Sequence, residues 1–459
     1  MDWKGKRVVI VGAGRQGVAT AAYLAAHGAG VTLTDARPAE QLQATRLQLS
    51  ALDLEWRLGG HPVEMLDGAD VLILSGGVPS GLPLVQHALA GGIPVSNDSQ
   101  IFLELAACKV IGITGSAGKT TTTTLVGRIL KAMEGKHIRR SWVGGNIGNP
   151  LIADVDEVSA EDLAVMELSS FQLEWMTRAP HVAAILNIAP NHLDRHITME
   201  TYVAAKARIL DFQTADGIAI LNREDAGAWA LAGRVRGRLW TFGRAALPQG
   251  QLGAFVRGEA IWLRDEKGER AILPLADIEL IGEHNLLNVL AAVAIAAAAG
   301  APAEAMGAGV RGFRGAPHRL EWVRSVNGVD WYNDSIATAP ERAIAAMRAF
   351  KEPLVLLAGG RDKELPWEAF AEMACRRVRH LILFGEAADK VAAAIRNVPG
   401  WDASLSLERC ASLDDAVLVA ARAAKPGDVV LLAPGGTSFD QFTDFEDRGD
   451  RFRQLVMEL

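Results

Sequence analysis

Two glycine-rich junctions, each standing between a β-type run and a helical stretch, constrain this chain to parallel α/β modules. The first, Gly12-Ala-Gly14-Arg-Gln-Gly17, follows the run Arg7 to Val11. The second, Gly112-Ile-Thr-Gly115-Ser-Ala-Gly118-Lys119-Thr120, grows out of the run Lys109 to Thr114 and opens a helix with five successive threonines. A strand ending in such a loop hands the chain to a helix that packs back on its own sheet. Beside the first junction, Gly30 to Thr34, Asp70 to Leu74 and Ile93 to Ser96 read as further parallel strands; beside the second, Leu163 to Glu167, Val182 to Ile188 and Gly217 to Leu221 do so. A third series comprises Trp331 to Asn333, Pro353 to Ala358, His380 to Phe384 and Asp428 to Ala433, with Ala-rich helical segments between them. The fold class expected is α/β in three domains: a Rossmann-like N-terminal domain over 1–105, a central P-loop ATPase-type domain over 106–315, and a C-terminal Rossmann-like α/β domain over 316–459. A length of 459 residues agrees, at roughly 150 residues per domain.

Composition narrows the partners. Lys plus Arg number 47 against 54 Asp plus Glu, a net charge of -7, so no overall basic field exists to hold nucleic acid or an anionic membrane. The longest apolar run, Val289 to Ala299, falls short of the ~18 residues of a membrane span and reads as a buried Ala-rich helix. The N-terminus lacks the apolar core of a secretory signal, so a cytoplasmic protein is expected. Cys108, Cys375 and Cys410 have neither the number nor the spacing of a disulfide framework or a zinc site.

Both junctions suit phosphates. In the first, the glycines permit a tight turn and close backbone approach to a diphosphate at a helix N-terminus, and Asp35, eighteen residues past Gly17, can accept from a ribose hydroxyl. A nicotinamide dehydrogenase fits this junction taken alone. In the second, backbone N–H groups can cradle phosphates, Lys119 can reach the terminal ones and Thr120 can ligate Mg²⁺, although Ile113 stands where a full Walker A has glycine. Two such cradles suggest ATP in the middle domain and another diphosphate compound in the first, unless the middle domain hydrolyses ATP only to change shape. Glu167 closes an apolar strand beside the phosphate loop, where a magnesium ligand belongs, and His192 and Asp194 follow another β run. Lys206 sits in a helical stretch in which an ordinary surface lysine is the default.

The chain resembles the Mur ligase family of ATP-dependent amide-forming enzymes. The resemblance rests on Gly115-Ser-Ala-Gly-Lys-Thr120, Gly145-Asn-Ile-Gly-Asn-Pro150, Glu167-Leu-Ser-Ser-Phe-Gln-Leu-Glu174, His192-Leu-Asp-Arg195, Gly282-Glu-His-Asn-Leu-Leu-Asn288, Pro317-His-Arg-Leu-Glu321, Asn333-Asp-Ser335 and Ser438-Phe-Asp-Gln-Phe-Thr-Asp-Phe445. It implies that the L-alanyl carboxylate of UDP-N-acetylmuramoyl-L-alanine attacks ATP to give an acyl phosphate, which the amine of glutamate then attacks. It implies an ATP site at Gly115, Ser116, Ala117, Gly118, Lys119, Thr120, Thr121, Asn285, Arg319 and Asp334, with His318 orienting them. It implies a UDP-substrate site at Gly14, Arg15, Gln16, Gly17, Asp35, Arg37, Ser75, Asn146, Ser169, Gln172 and His192, and a glutamate site at Thr338, Lys363, Ser438 and Phe445. Thr120 and Glu167 are implied to place one Mg²⁺, and His192 with a carbamate on Lys206 a second. Lys119, Glu167, His192 and Lys206 are the catalytic set so implied. The family likeness also implies domain closure that excludes water, and a monomer is expected.

Two departures fall in the domain that receives the amino acid. The family's Asn-Asp-Ser-Lys-Ala-Thr reads Asn333-Asp-Ser-Ile336-Ala-Thr338 here, which removes a cation, and Gly359-Gly-Arg361-Asp-Lys363 offers Arg361 as its replacement in space. No residue reads the handedness of the acceptor. D-glutamate follows from the overall resemblance, with L-glutamate as the alternative.

Overall fold

A computed structural model describes residues 2–280 and 282–459, and the side chains of all of these but Leu193, Asp194, Ala403 and Ser404. The chain forms two compact units, Met1–Ile278 with Glu283–Phe313, and Glu279–Gly282 with Arg314–Leu459.

The first unit contains two sheets. In the first sheet Leu54–Leu58, Gly30–Asp35, Arg7–Val11, Val71–Leu74 and Val95–Ser96 lie side by side in that order, all parallel. Its centre is the run Val8 to Val11, buried on both faces, which is why the run is continuously apolar rather than alternating. In the second sheet the order is Gly268–Pro274, Ala260–Asp265, Leu252–Arg257, Arg238–Phe242, Ile218–Asn222, Val182–Ile185, Lys109–Thr114, Leu163–Glu167, Ser141–Gly145. Its last three strands in sequence form an antiparallel meander, and its other pairings are parallel. The helix Glu283–Ala298 buries Val289 through Ala296 completely, as the Ala-rich run predicts. The two sheets share one continuous apolar core, in which Val8, Ile10 and Leu24 of the first module join Leu151, Ile152 and Val155 of the second.

The second unit is built on one sheet, ordered Glu321–Val326, Val329–Asn333, Val429–Gly435, Leu354–Gly359, Val378–Phe384, Ser406–Arg409, with only the first pairing antiparallel. Separate apolar cores cover its two faces.

Every strand expected from the sequence is present, with ends shifted by a few residues. The strands without a sequence expectation are mainly at sheet edges, where half-burial admits charge: Leu54–Leu58 reads Leu-Glu-Trp-Arg-Leu, and Ala260–Asp265 and Gly268–Pro274 are joined by the Arg270–Asp265 ion pair at 2.7 Å. Among the described residues no helix is long and apolar enough to cross a membrane.

Gly17 shows how tightly the first junction is closed. A Cβ there would stand 1.9 Å from the Gly12 carbonyl oxygen and 2.6 Å from Ser75 Oγ. Gly17→Ala is therefore expected to destabilise the chain by about 1–3 kcal/mol, the usual cost of overpacking. Chemical denaturation of the two proteins checks this, and equal unfolding midpoints would show that the contact is not constraining.

Candidate active site

The first junction presents a helix N-terminus to an open cleft. Gly12 takes φ +95 and donates its N–H to Thr34 O, while Gly14 precedes the helix Arg15–Ala26 with nothing where its Cβ would be. Ser75 Oγ donates to Gly12 O at 2.8 Å, and Gln16 Oε1 accepts from Gly76 N at 2.7 Å, so the two loops brace each other. Gly14, Arg15, Gln16, Ser75 and Gly76 line one side of a cavity of about 160 Å³; Gly145, Asn146, Gly148 and Pro150 line the other. A concave wall of backbone amides, a helix N-terminus and an arginine suits an anion.

Asp35 does not stand free at the strand end. Its Oδ2 accepts from Ala13 N at 2.8 Å and its Oδ1 from Arg37 N and Arg37 Nε, both at 2.9 Å. Burial alone pushes this carboxyl up, but the Arg37 and Ala13 hydrogen bonds and the Arg37 charge outweigh it and hold the pKa at about 2. Asp35 is thus a fixed anion that shapes the glycine loop, and Arg37 covers its outer side.

The second junction is denser. Gly118, at φ +81, caps the helix Lys119–Lys131, and a Cβ on it would meet Asn288 Oδ1 at 2.3 Å. Asn288 in turn donates to Asn285 Oδ1 at 2.8 Å, which places Asn285 behind this loop. Ala117 N donates to Asn187 Oδ1 at 2.8 Å, and Ser116 Oγ lies 2.9 Å from both Ala189 O and Tyr202 OH. Lys119 Nζ donates to Gly115 O at 2.8 Å, and Lys206 Nζ donates to the same oxygen at 3.0 Å and to Thr114 Oγ1 at 3.2 Å. Lys206 is only 1% exposed; loss of water, then the Lys119 charge, drive its pKa well below the usual lysine range, with Glu167 partly opposing. Thr121 is buried one residue inside the helix.

Glu167 connects the two junctions. Its Oε2 accepts from Thr120 Oγ1 at 2.9 Å and its Oε1 from Asn146 Nδ2 at 3.0 Å. His192 takes φ +53 and meets the Phe171 ring edge-on at 5.2 Å, and Asp194 lies outside the described side chains. Among the described residues no three His, Cys, Asp or Glu side chains cluster as metal ligands. The Thr120–Glu167 pair fits a hard divalent cation that draws its remaining oxygens from phosphate and water, as Mg²⁺ does.

Ser169 and Gln172 hydrogen-bond to each other. Gln172 is 1% exposed; its Oε1 accepts from Ser169 N and Oγ in a capping box, and its Nε2 donates to Ser99 Oγ at 2.8 Å. Both ends of its amide are engaged within the protein, so Gln172 braces the wall. Next to it, Asp98 has a buried Oδ1 with no hydrogen-bond partner, and burial pushes its carboxyl up to about 6.

In the second unit, Asp334 is buried at the end of the strand Val329–Asn333, accepts from Leu320 N at 3.0 Å, and is pushed up to about 6 by burial against the opposing pull of Arg319 and Arg342. Arg319 has a buried Nε without a hydrogen-bond partner. His318 takes φ +61, and its Nδ1 lies 3.3 Å from Asn333 Nδ2. Thr338 is half-buried and Lys363 exposed, Ser438 is buried just past the strand Val429–Gly435, and Phe445 begins the last helix, its carbonyl accepting from Ser335 Oγ. Arg361 does not replace the cation lost at Ile336. It is exposed and pairs with Glu386 through Nε at 3.1 Å, so its charge is already answered. Arg342, unremarkable in sequence, donates to the Ile336 carbonyl at 3.4 Å.

Three family models match in order: the Mur ligase MurD-like N-terminal domain over residues 6–97, the Mur ligase middle domain over 113–296, and the Mur ligase glutamate ligase domain over 318–436. The chain belongs to the Mur ligase family. Its relatives include proteins named UDP-N-acetylmuramoylalanine–D-glutamate ligase from Symbiobacterium thermophilum, 43% identical over 99% of this chain and 98% of the relative. Another of that name, from Koribacter versatilis, is 40% identical over 100% and 99%. Among solved structures, UDP-N-acetylmuramate–alanine ligase from Thermotoga maritima shares the fold with a TM-score of 0.59 at 17% identity, over 98% of this chain and 99% of that one. UDP-N-acetylmuramoylalanyl-D-glutamyl-2,6-diaminopimelate–D-alanyl-D-alanyl ligase from Acinetobacter baumannii does so with a TM-score of 0.56 at 20% identity, over 98% and 93%.

Asp98 yields a pH prediction. Its folded pKa, about 6, lies above the unfolded value of 3.8, so its contribution is fully present below the unfolded value and is lost as pH rises through about 6. Asp98→Asn removes the buried charge and is expected to raise the melting temperature at about pH 7.5 and to have much less effect at about pH 4. Equal shifts at both pH values would show that the charge is not the cause.

Proposed function

We propose that this chain is an ATP-dependent ligase that adds D-glutamate to UDP-N-acetylmuramoyl-L-alanine. The observation that carries the reading is the link Thr120–Glu167–Asn146, which joins a triphosphate-type loop to the wall of the cavity beside the first junction. A substrate with a nucleotide diphosphate at one end and a carboxylate at the other has its two recognition sites in one unit. Full-length relatives of that name support the assignment.

The diphosphate lies against Gly14 to Gly17 and Ser75, with Arg15, Gln16, Asp35 and Arg37 shaping the uridine end, and the muramoyl-alanyl end runs past Asn146, Ser169 and His192. ATP takes the loop Gly115 to Thr121 with Asn285, and Arg319 and Asp334 hold it from the second unit. Lys119 meets the γ-phosphate as the alanyl carboxylate attacks phosphorus; ADP leaves and an acyl phosphate forms. The acceptor amine, held by Thr338, Lys363, Ser438 and Phe445, attacks the carbonyl carbon and loses a proton, and inorganic phosphate departs as the amide forms. Thr120 and Glu167 would hold one Mg²⁺, with His192 and Lys206 at a second, and the bound metal would supply the positive charge that lets carboxylate and triphosphate meet. Burial lowers the pKa of Lys206 and so favours the neutral amine that adds CO₂, which suits Lys206 to become a carbamate. The reading divides the chain at residues 105 and 315 and places it in the cytoplasm as a monomer.

With ATP, Mg²⁺ and the UDP-sugar, D-glutamate is expected to be joined at least about tenfold faster than L-glutamate, a difference of ~1.4 kcal/mol in the transition state. Mass analysis of the product checks this, and a preference for L-glutamate would overturn the acceptor while leaving the ligase. Lys206→Ala is expected to be nearly inactive and to recover in part with a short added carboxylic acid. A fully active enzyme whose Lys206 carries no added mass would remove the carbamate.

A further inference from the structure

In the second unit Arg319 and Arg342 both act on one buried carboxylate, Asp334, and Arg342 acts on Lys363. Three other carboxylates of this unit are paired with other cations, Asp362 with Lys390 at 2.6 Å, Glu386 with Arg361 at 3.1 Å and Glu321 with Arg453 at 2.9 Å. Two cations, Arg319 and Arg342, thus share one buried carboxylate, and Lys363 adds its charge beside Arg342.

Arg342 lies in the first turn of the helix Pro340–Arg348, and its guanidinium folds back over residue 336, donating to Ile336 O at 3.4 Å. The carbonyl of His318 holds Ile336 N at 3.2 Å, so residue 336 lies next to the Arg319 loop. Arg342 is exposed to solvent, yet the protein mass around it and the Arg319 charge lower its pKa, with Asp334 partly offsetting them. A solvent-facing cation crowded by other cations, beside an Arg319 Nε left without a partner, is a site short of an anion.

We infer that Arg342 supplies the cation that residue 336 lacks, and that its guanidinium binds the anionic oxygens delivered to this unit, whether a phosphate of ATP or a carboxylate of the acceptor. The planar fork of arginine suits either by paired hydrogen bonds. Arg342 is then a binding residue whose side chain reaches, from six positions along the chain, the place that a lysine at 336 would occupy. The inference rests on the ligase reading given above.

The test uses the full chain and three variants: R342A, I336K, and the double variant I336K/R342A. R342A is expected to keep its melting temperature and to lose about a hundredfold in kcat/KM, the scale of removing one charge-stabilising donor. The double variant is expected to regain at least about tenfold of that loss. A rise confined to the KM for ATP assigns the phosphate, and a rise confined to the KM for D-glutamate assigns the carboxylate; a fall in kcat alone assigns the phosphoryl group in transfer. A loss under threefold in R342A, or no recovery in the double variant, overturns the inference while active wild-type enzyme leaves the ligase reading standing. If wild type itself joins no glutamate, the ligase reading fails. Thermal stabilisation by ATP and by glutamate, read without turnover, then decides Arg342: a smaller shift in R342A for either ligand supports it, and equal shifts for both overturn it.

Discussion

Two lysine ammonium groups meet at one carbonyl oxygen, that of Gly115, and much of the first unit is arranged around that meeting. Lys119 comes from the start of a helix that only a left-handed Gly118 can open, and Lys206 comes from the middle of a helix that buries it almost completely. Burial and then the Lys119 charge both press Lys206 toward its neutral form. Glu167, which accepts from the neutral donors Thr120 and Asn146, opposes that pressure in part, and a ligand phosphate would oppose it further. No protein-only metal cluster is found among the described residues. A site of this kind suits a ligand that brings negative charge with it.

The second unit repeats the logic with different parts. Arg319 and Arg342 share one buried carboxylate and Lys363 adds its charge beside Arg342, while Arg361, which the sequence offers as compensation, spends its charge on Glu386. The rigid frame beneath them is a mostly parallel sheet with apolar cores on both faces, so the loops that carry the charges are held at strand ends by backbone that does not move with them.

Much of the candidate site was legible in sequence because phosphate loops impose local rules. Gly12 and Gly118 take positive φ, and Gly17 and Gly118 leave no room for a Cβ; those demands are written directly as glycine. Thr120 and Glu167 were legible for a related reason, since each lies at the junction of an element that the apolar pattern already locates. Gln172 as a ligand contact is what the family resemblance implies. Its amide is in fact consumed by Ser169 and by Ser99, seventy-three positions away. The edge strands were illegible because half-buried strands tolerate Glu, Arg and Lys, which blurs the alternation on which recognition depends.

The sequence by itself determined the three α/β modules, the two phosphate junctions and the residues whose backbone geometry allows no substitute, because these depend on contacts within a few residues or on continuous apolar runs. Only the tertiary structure decided that Asp35 is a locked anion rather than an open acceptor, that Asn146 joins Glu167, and that Arg342 rather than Arg361 donates to the Ile336 carbonyl. The physical reason is the same in each case. The charge state and availability of a polar side chain depend on which groups packing brings within hydrogen-bond distance, and those groups come from other elements whose approach no local pattern encodes.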